Sequence, residues 1–316
     1  MSPDLSVKIG KMTMQNPVMP ASGCFGYGEE YAKYFDLSKL GAIVVKGTTY
    51  NPCPGNPPPR LIETPAGLLN AIGLQNPGVM TAREKIRALA LFNVPVIVNV
   101  AGHSMEQYCA VIEELDGEET VAAFELNISC PNVSSGGLAF GTDPDTVARL
   151  VGKVRRLSKK TMIVKLSPNV TDIVSIAKRS AGEGADALSL INTLLGMAID
   201  VNTRRPLLAN VTGGLSGPAV KPVALRMVWQ VSEAVNVPVI GLGGISCAQD
   251  ALEFILAGAS AVAIGTAHFS NPTVSLEVIE GIRNYLQENG MTTIGELVAL
   301  ARKANKDGVE YNCRKK

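Results

Sequence analysis

The stretch of sequence that decides the fold runs from residue 121 to residue 191. It holds three apolar runs, VAAFELNI (121–128), TMIVKL (161–166) and ALSLI (187–191), with helix-like amphipathic segments at 144–158 and 170–183 between them. The runs are mostly continuous rather than alternating in hydrophobicity, which is typical of strands buried on both faces of a parallel sheet. Strand and helix in this order predict βαβ units and an α/β fold.

The same alternation continues on both sides of this stretch. Further strands are predicted at 16–20, 42–46, 94–100, 237–241 and 261–265, and further helices at 105–115, 220–235, 247–257 and 273–289. About eight strand–helix repeats predict a (β/α)8 TIM barrel, and a doubly wound open sheet is the alternative.

Two connections are too long for simple turns. Both 48–77 and 192–218 interrupt the pattern, and the first is dense in Pro, Gly and Asn. Long connections in compact domains are usually functional or disordered, so we expect elaborated βα loops. No domain boundary is visible, and residues 1–316 are expected to form a single domain.

Composition and charge argue against several classes of protein. The 316 residues carry a formal net charge of +1 and no long basic run, which argues against nucleic acid as a partner. No apolar run reaches the roughly 18 residues that span a bilayer, and residues 1–11 do not resemble a signal peptide, so a cytoplasmic protein without membrane contact is expected. The six cysteines have no zinc or iron–sulfur spacing and there are only two histidines, so no metal site is predicted and most cysteines are expected to be buried thiols.

Polar and small residues stand where the predicted strands end. In TIM barrels the chemistry lies at the C-terminal ends of the strands. The residues at these ends are Ser22, Lys46, Gly47, Asn99, Asn127, Cys130, Lys165, Asn192 and Thr193. Each asparagine offers two donors and an acceptor, and three of them around one mouth suggest recognition of a small ring with amide-like edges. A single asparagine at such a place is often only a turn cap.

Two lysines and two glycine turns among these ends suggest an anionic ligand. Buried lysine is rare unless it is paired or functional, so Lys46 and Lys165 are predicted to neutralise an anion in the barrel mouth. The alternative is that each extends past the strand end to solvent. The turns 241–244 and 265–266 follow the seventh and eighth strands, where backbone N–H groups often bind phosphate, although glycine also serves tight βα turns.

Several of these segments together resemble one enzyme family. NISCPN (127–132) resembles the active-site motif of class 1 dihydroorotate dehydrogenases, and NAIGLQNPG (70–78) resembles their substrate loop. PASG (20–23), KGTT (46–49) and VIGLGGI (239–245) fit in the same order, and the resemblance spans residues 6–289. Class 2 members carry Ser in place of Cys130 and an N-terminal membrane extension. CFGYG (24–28) and NAIGLQ (70–75) are more similar to the NAD-linked 1B type than to the fumarate-reducing 1A type.

The resemblance implies an FMN-containing barrel that oxidises (S)-dihydroorotate to orotate in de novo pyrimidine (UMP) biosynthesis. Cys130 would be the base, FMN would accept the hydride, and the Gly-rich segment 134–141 would be a lid over Cys130. Lys165 would stabilise negative charge on the reduced flavin. The residues implied for FMN are Ser22, Lys46, Gly47, Asn99, Asn127, Lys165, Ile191, Gly217, Gly243, Gly244, Gly265 and Thr266. Those implied for the pyrimidine are Lys46, Asn70, Ala71, Ile72, Gly73, Leu74, Asn127, Asn192 and Thr193.

The sequence contains no motif for a second redox centre that would accept electrons from the flavin. No G-x-G-x-x-G dinucleotide motif follows a strand, and the cysteines are scattered rather than clustered. The 1B resemblance therefore implies a separate electron-transfer subunit with FAD, a [2Fe–2S] cluster and the NAD site, in a heterotetramer of two barrels and two such subunits. The alternatives are a class 1A enzyme that reduces fumarate, a dihydropyrimidine dehydrogenase-like barrel, and a non-catalytic barrel that binds a phosphorylated ligand.

Overall fold

The structure, a computed structural model, describes residues 2–129 and 140–306. The strands in these ranges are β1 (Val7–Ile9), β2 (Met12–Met14), β3 (Val18–Pro20), β4 (Ile43–Thr48), β5 (Leu61–Thr64), β6 (Gly67–Asn70), β7 (Val96–Val100), β8 (Val121–Asn127), β9 (Thr161–Lys165), β10 (Ala187–Leu190), β11 (Leu194–Met197), β12 (Ile199–Asp200), β13 (Arg205–Pro206), β14 (Thr212–Ser216), β15 (Val239–Leu242) and β16 (Ala261–Ile264). The helices are α1 (Val79–Ala88), α2 (Met105–Leu115), α3 (Pro144–Arg155), α4 (Ile173–Gly182), α5 (Lys221–Ala234), α6 (Ala248–Ala257), α7 (Val274–Glu288) and α8 (Leu300–Lys306).

Eight parallel strands form a barrel. Their order around the sheet is β3-β16-β15-β10-β9-β8-β7-β4. The two end strands approach each other where Gly41 N donates to Val18 O at 2.9 Å, so the sheet is nearly closed on itself. Helices α1 to α6 each lie between consecutive barrel strands from β4 onward, and two short 3-10 turns, Tyr31–Lys33 and Leu37–Lys39, take the place of a helix after β3. The predicted (β/α)8 barrel is therefore confirmed, and the open-sheet alternative is wrong because the edge strands meet.

Side-chain caps set where several of these helices begin. Asp143 accepts a hydrogen bond from Thr146 N ahead of Pro144 at the first position of α3, and Asp172 accepts from Val174 N at the start of α4. These side chains satisfy amide donors that the first turn of a helix leaves unpaired, and proline at the first position gives up no bond. The predicted helix start at residue 144 is confirmed.

A hairpin that sequence patterning did not predict covers the lower end of the barrel. Strands β1 and β2 pair antiparallel, and the turn between them is fixed where Lys11 N donates to Thr161 Oγ1 at 2.9 Å. The apolar residues of the hairpin, Ile9, Met12 and Met14, join a buried cluster with barrel-interior residues such as Ile97, Ala123, Ile163 and Ala187. The N-terminal half of the barrel interior is therefore a dry, packed core.

A second sheet covers the opposite end, and it is made from the two long connections. Strands β5 and β6 come from the first connection, and β11 and β14 come from the second; their order is β11-β14-β6-β5. The connections meet where β6 pairs antiparallel with β14, with Asn70 opposite Gly214. Leu69, Ala71 and Leu208 form a small apolar cluster within this covering sheet. The predicted loops are therefore ordered strands that roof the mouth of the barrel.

The expectation about the cysteines is wrong for those that the structure describes. Cys109 is buried, whereas Cys24 and Cys53 are half-buried and Cys247 is exposed. Cys247 stands at the start of α6, where a helix end meets solvent, and Cys53 lies in the first long connection rather than in a strand or helix core. Within residues 2–129 and 140–306, no helix combines the length and apolar character needed to cross a membrane.

Candidate active site

On four neighbouring barrel strands, an inward-facing apolar residue is followed two positions later by an inward-facing polar residue. Side chains two apart on a strand face the same side. Ile97 is thus followed by Asn99 and Ala123 by Glu125, while Ile163 is followed by Lys165 and Ala187 by Ser189. The register places Asn99 opposite Glu125 and Lys165 opposite Ser189. All four polar side chains are buried, so a layer of fixed polar groups lies above the packed core on this half of the barrel.

A cavity of about 950 Å³ lies between this polar layer and the covering sheet. All the predicted site residues in the described part of the chain line it: Ser22, Lys46, Gly47, Asn70, Ala71, Ile72, Gly73, Leu74, Asn99, Asn127, Lys165, Ile191, Asn192, Thr193, Gly217, Gly243, Gly244, Gly265 and Thr266. They come from the ends of all eight barrel strands and from both long connections. The fold therefore brings together residues that are far apart in sequence, at the end of the barrel where active sites of this fold occur.

Lys165 places a buried positive charge in the cavity wall. Its side chain is 4% exposed, and its Nζ donates to Ser22 Oγ at 3.1 Å. In the described part of the chain no ion pair joins Lys165 to a carboxylate. The alternative that Lys165 extends to solvent is therefore wrong, because the barrel mouth encloses the ammonium group. A buried lysine without an anionic partner favours an anionic ligand.

Lys46 lies across the same cavity and is half-buried. Loss of water around the ammonium group, together with the positive charge of Arg60, lowers the pKa of Lys46 below its ordinary value. Arg60 is itself held within the first long connection, where its guanidinium donates to Gln75 Oε1 at 2.6 Å. The two cations form a positive region between the barrel and its roof, which suits the carboxylate of a small substrate.

Asparagines on two strand ends form a connected polar group at the centre of the mouth. Asn192 Nδ2 donates to Asn127 Oδ1 at 3.3 Å, and Tyr108 Oη donates to the Asn127 carbonyl at 2.6 Å. Asn169 ties the neighbouring segment down by donating to Thr193 O at 3.0 Å and accepting from Leu195 N at 2.9 Å. These bonds fix the amides before any ligand arrives, which lowers the entropy cost of recognising a polar ring.

Two turns at the ends of β15 and β16 lie where the sequence predicts an anion-binding site. Gly244 has φ +80°, and a Cβ built there would lie 2.8 Å from Gly217 O, so a side chain fits neither the backbone conformation nor the space. On the β16 side, Thr266 Oγ1 donates to Ser216 Oγ at 2.8 Å. The turn after β15 is held from behind by Asp250, which accepts from Ser246 N at 2.8 Å. Gly243, Gly244 and Gly265 line the cavity without side chains, which leaves the backbone of both turns accessible to an anion such as phosphate.

The one described cysteine in the cavity wall is unsuited to act as a base. Burial of its thiol raises the pKa of Cys24 to about 11, although the nearby Lys165 and Lys46 oppose the shift. The predicted base, Cys130, lies outside the described residues, together with Pro131, Asn132 and the predicted lid as far as residue 139. The described residues next to it, Asn127 and Ser129, both line the cavity.

Comparisons with known proteins agree with this arrangement. A family model described as Dihydroorotate dehydrogenase matches residues 4–286. The chain belongs to the dihydroorotate dehydrogenase family. It is 58% identical, over 94% of its length and 98% of the relative, to the dihydroorotate dehydrogenase B (NAD(+)), catalytic subunit of Pelobacter propionicus. Proteins of the same name from Geotalea daltonii and Desulforudis audaxviator are each 57% identical, over 94% of this chain and 97% of the relative. The predicted resemblance to the NAD-linked members is confirmed.

Sequence reasoning missed several residues at the mouth of this dihydroorotate dehydrogenase barrel. They are Cys24, Asn56, Ser167, Asn169 and Ser216, which line the cavity, and Glu125, which lies beneath it. Ser167 and Asn169 follow directly after the fifth strand, so the strand-end rule would have found them. Glu125 is a charged residue inside an apolar run, which is also a readable signal. Ser216 and Asn56 had no such signal, because they reach the cavity only through the covering sheet.

Proposed function

We propose that this chain is the catalytic subunit of an NAD-linked dihydroorotate dehydrogenase and oxidises (S)-dihydroorotate to orotate in pyrimidine biosynthesis. One observation carries the proposal. The residues that the family resemblance assigns to cofactor and substrate converge on a single cavity, in a chain 57–58% identical to proteins of that name. The whole chain acts as one FMN-binding domain in the cytoplasm.

The cavity fits FMN in size and chemistry. The turns formed by Gly243, Gly244, Gly265 and Thr266 would hold its phosphate, and the ammonium group of Lys165 would stabilise negative charge on the flavin. Bound FMN supplies the acceptor for the hydride that leaves the substrate. The remaining FMN contacts come from Ser22, Lys46, Gly47, Asn99, Asn127, Ile191 and Gly217.

The substrate occupies the space between the polar layer and the covering sheet. Asn70, Asn127, Asn192 and the hydroxyl of Thr193 bind the amide edges of its ring, while Lys46 and the backbone of residues 71–74 bind its carboxylate. Asn70 is already oriented, since its Nδ2 donates to Gly214 O at 3.1 Å across the β6–β14 pair. The covering sheet therefore positions the substrate and limits the access of water.

Proton removal from C5 of the substrate falls to Cys130. Only a few per cent of an ordinary cysteine is thiolate at neutral pH, so the reaction speeds up as pH rises toward the pKa of the thiol. Ser129 precedes it in the chain, and its buried Oγ has no hydrogen-bond partner among the described residues. Exclusion of water from the cavity would strengthen the electrostatic interactions that act on such a thiolate.

Electrons leave through a partner. The described residues contain no group of three or more His, Cys, Asp or Glu that could hold a metal ion. The relatives are named catalytic subunits, which implies an accompanying electron-transfer subunit. That subunit carries FAD, a [2Fe–2S] cluster and the NAD site, in an assembly of two catalytic and two electron-transfer subunits.

The purified chain alone and the chain with its partner give different results in one experiment. Each sample is checked for bound FMN by its visible spectrum and then mixed with dihydroorotate and NAD, fumarate or an artificial dye. The chain alone should be yellow, reduce the dye and give little NADH, and addition of the partner subunit should restore NAD reduction. A colourless chain that cannot be reconstituted with FMN, rapid NAD reduction without the partner, or efficient fumarate reduction would each contradict the proposal.

A further inference from the structure

Glu125 is a buried carboxylate that contacts the cavity only through other side chains. It lies on β8, two residues before Asn127, and is 5% exposed. Each carboxylate oxygen accepts one hydrogen bond, Oε2 from Asn99 Nδ2 at 2.6 Å and Oε1 from Ser189 Oγ at 2.7 Å. Buried carboxylates are rare unless their oxygens accept hydrogen bonds. The two bonds link β8 to β7 on one side and to β10 on the other.

These bonds decide which end of the Asn99 amide the ligand meets. One N–H of the Asn99 amide donates to Glu125, and no described residue donates a hydrogen bond to its Oδ1. That oxygen points toward Gly47, where a Cβ would lie 3.1 Å from it. Asn99 is 1% exposed and lines the cavity. It therefore offers the cavity an acceptor rather than a donor.

We propose that Glu125 is a positioning residue for the flavin, holding the Asn99 amide so that its oxygen meets a ring N–H of FMN. The inference rests on the proposed function, because it assumes that the cavity binds FMN. Without Glu125 the amide can turn over and place its NH2 toward the ring N–H, donor against donor. A buried donor left unsatisfied in this way weakens binding by about tenfold or more.

The role of Glu125 can be tested by exchanging which of Asn99 and Glu125 donates the hydrogen bond and which accepts it. In Glu125→Gln the side-chain oxygen still accepts from Asn99, and its NH2 can donate to Ser189. In Asn99→Asp a carboxylate faces the carboxylate of Glu125 and the bond is lost. Combining Asn99→Asp with Glu125→Gln restores a donor–acceptor pair of opposite direction and again leaves an oxygen toward the cavity.

The test measures the Kd for FMN by titrating each apoprotein with FMN and following flavin fluorescence, with thermal unfolding of the apoprotein as the check on folding. Glu125→Leu and Asn99→Asp should each raise the Kd about tenfold or more. Glu125→Gln should stay within about threefold of wild type, and the Asn99→Asp/Glu125→Gln double variant should bind FMN at least about threefold more tightly than Asn99→Asp alone. Ser189→Ala, which removes the second bond to Glu125 without touching Asn99, is the matched control and should also stay within about threefold of wild type.

Two results would overturn the inference. One is a folded Glu125→Leu protein that binds FMN as tightly as wild type, and the other is a double variant that binds as weakly as Asn99→Asp alone. If Glu125→Leu does not fold, the comparison of the single and double Asn99 variants still decides. If the wild-type protein does not bind FMN, the proposed function is overturned as well. If the wild-type protein binds FMN and the variants have the same Kd, only this inference is overturned.

Discussion

Replacing Lys165 by methionine tests the electrostatic basis of the proposed reaction. The substitution shortens the unbranched side chain by one atom and removes its buried ammonium group, whose Nζ lies 3.1 Å from Ser22 Oγ. Two opposite charges about 4 Å apart interact by roughly 4 kcal/mol at an effective dielectric constant near 20. If that attraction exists only once the flavin is reduced, its loss slows flavin reduction by about 10²- to 10³-fold.

The assay is rapid mixing of FMN-loaded protein with dihydroorotate while the flavin absorbance is recorded. Lys160→Met is the matched control, because Lys160 lies just before β9 at the opposite end of the barrel and donates to the carbonyls of Glu118 and Val121. Apoprotein carrying Lys165→Met should be at least as stable as wild type, since an uncompensated buried charge costs stability. A reduction rate within about threefold of wild type would refute the electrostatic role.

The other predictions concern the base, the roof and the barrel rim. Cys130→Ala should retain FMN and lose most dihydroorotate oxidation. Cys130→Ser should keep some activity with its pH optimum at a higher value, because a hydroxyl is harder to deprotonate than a thiol. Near wild-type turnover by the alanine variant would exclude Cys130 as the base. Gly214→Ala should raise KM for dihydroorotate about tenfold without loss of FMN, because a Cβ there would lie 2.0 Å from Thr193 Oγ1. Gly182→Ala is the control, because a Cβ there would have no atom within 4 Å. Equal KM values for the two variants would contradict the prediction. Burial lowers the pKa of His268 from 6.5 to about 4, so its contribution to stability is complete above pH 6.5 and declines toward pH 4 as only the unfolded chain gains the proton. In wild type the free energy of unfolding should therefore fall by about 3 kcal/mol between pH 6.5 and pH 4 because of His268, and His268→Gln should abolish that fall. The measurement is urea unfolding at a series of pH values, and an unchanged pH dependence in the variant would disprove the explanation.

Sequence periodicity was sufficient for the barrel. The eight predicted strands coincide with the eight barrel strands to within a few residues, because parallel strands covered on both faces leave continuous apolar runs. The cavity-wall residues that follow barrel strands came from the same pattern, since strand ends share one rim, whereas residues 70–74 came only from the family resemblance. Helix α1, by contrast, was not predicted, because it follows the irregular first connection rather than a clear apolar run.

Only the tertiary structure decided how the mouth is built. The covering sheet depends on β6 pairing with β14, residues Asn70 and Gly214 being 144 positions apart, and short glycine-rich strands carry no periodic signal for such a partner. The same holds for the orientation of Asn99, which is set by Glu125 from a neighbouring strand, and for the burial of Lys165. The sequence by itself determined which residues reach the rim, since alternation along a strand is local. Which of their atoms face the cavity depends on contacts between strands, and these exist only once the barrel has closed.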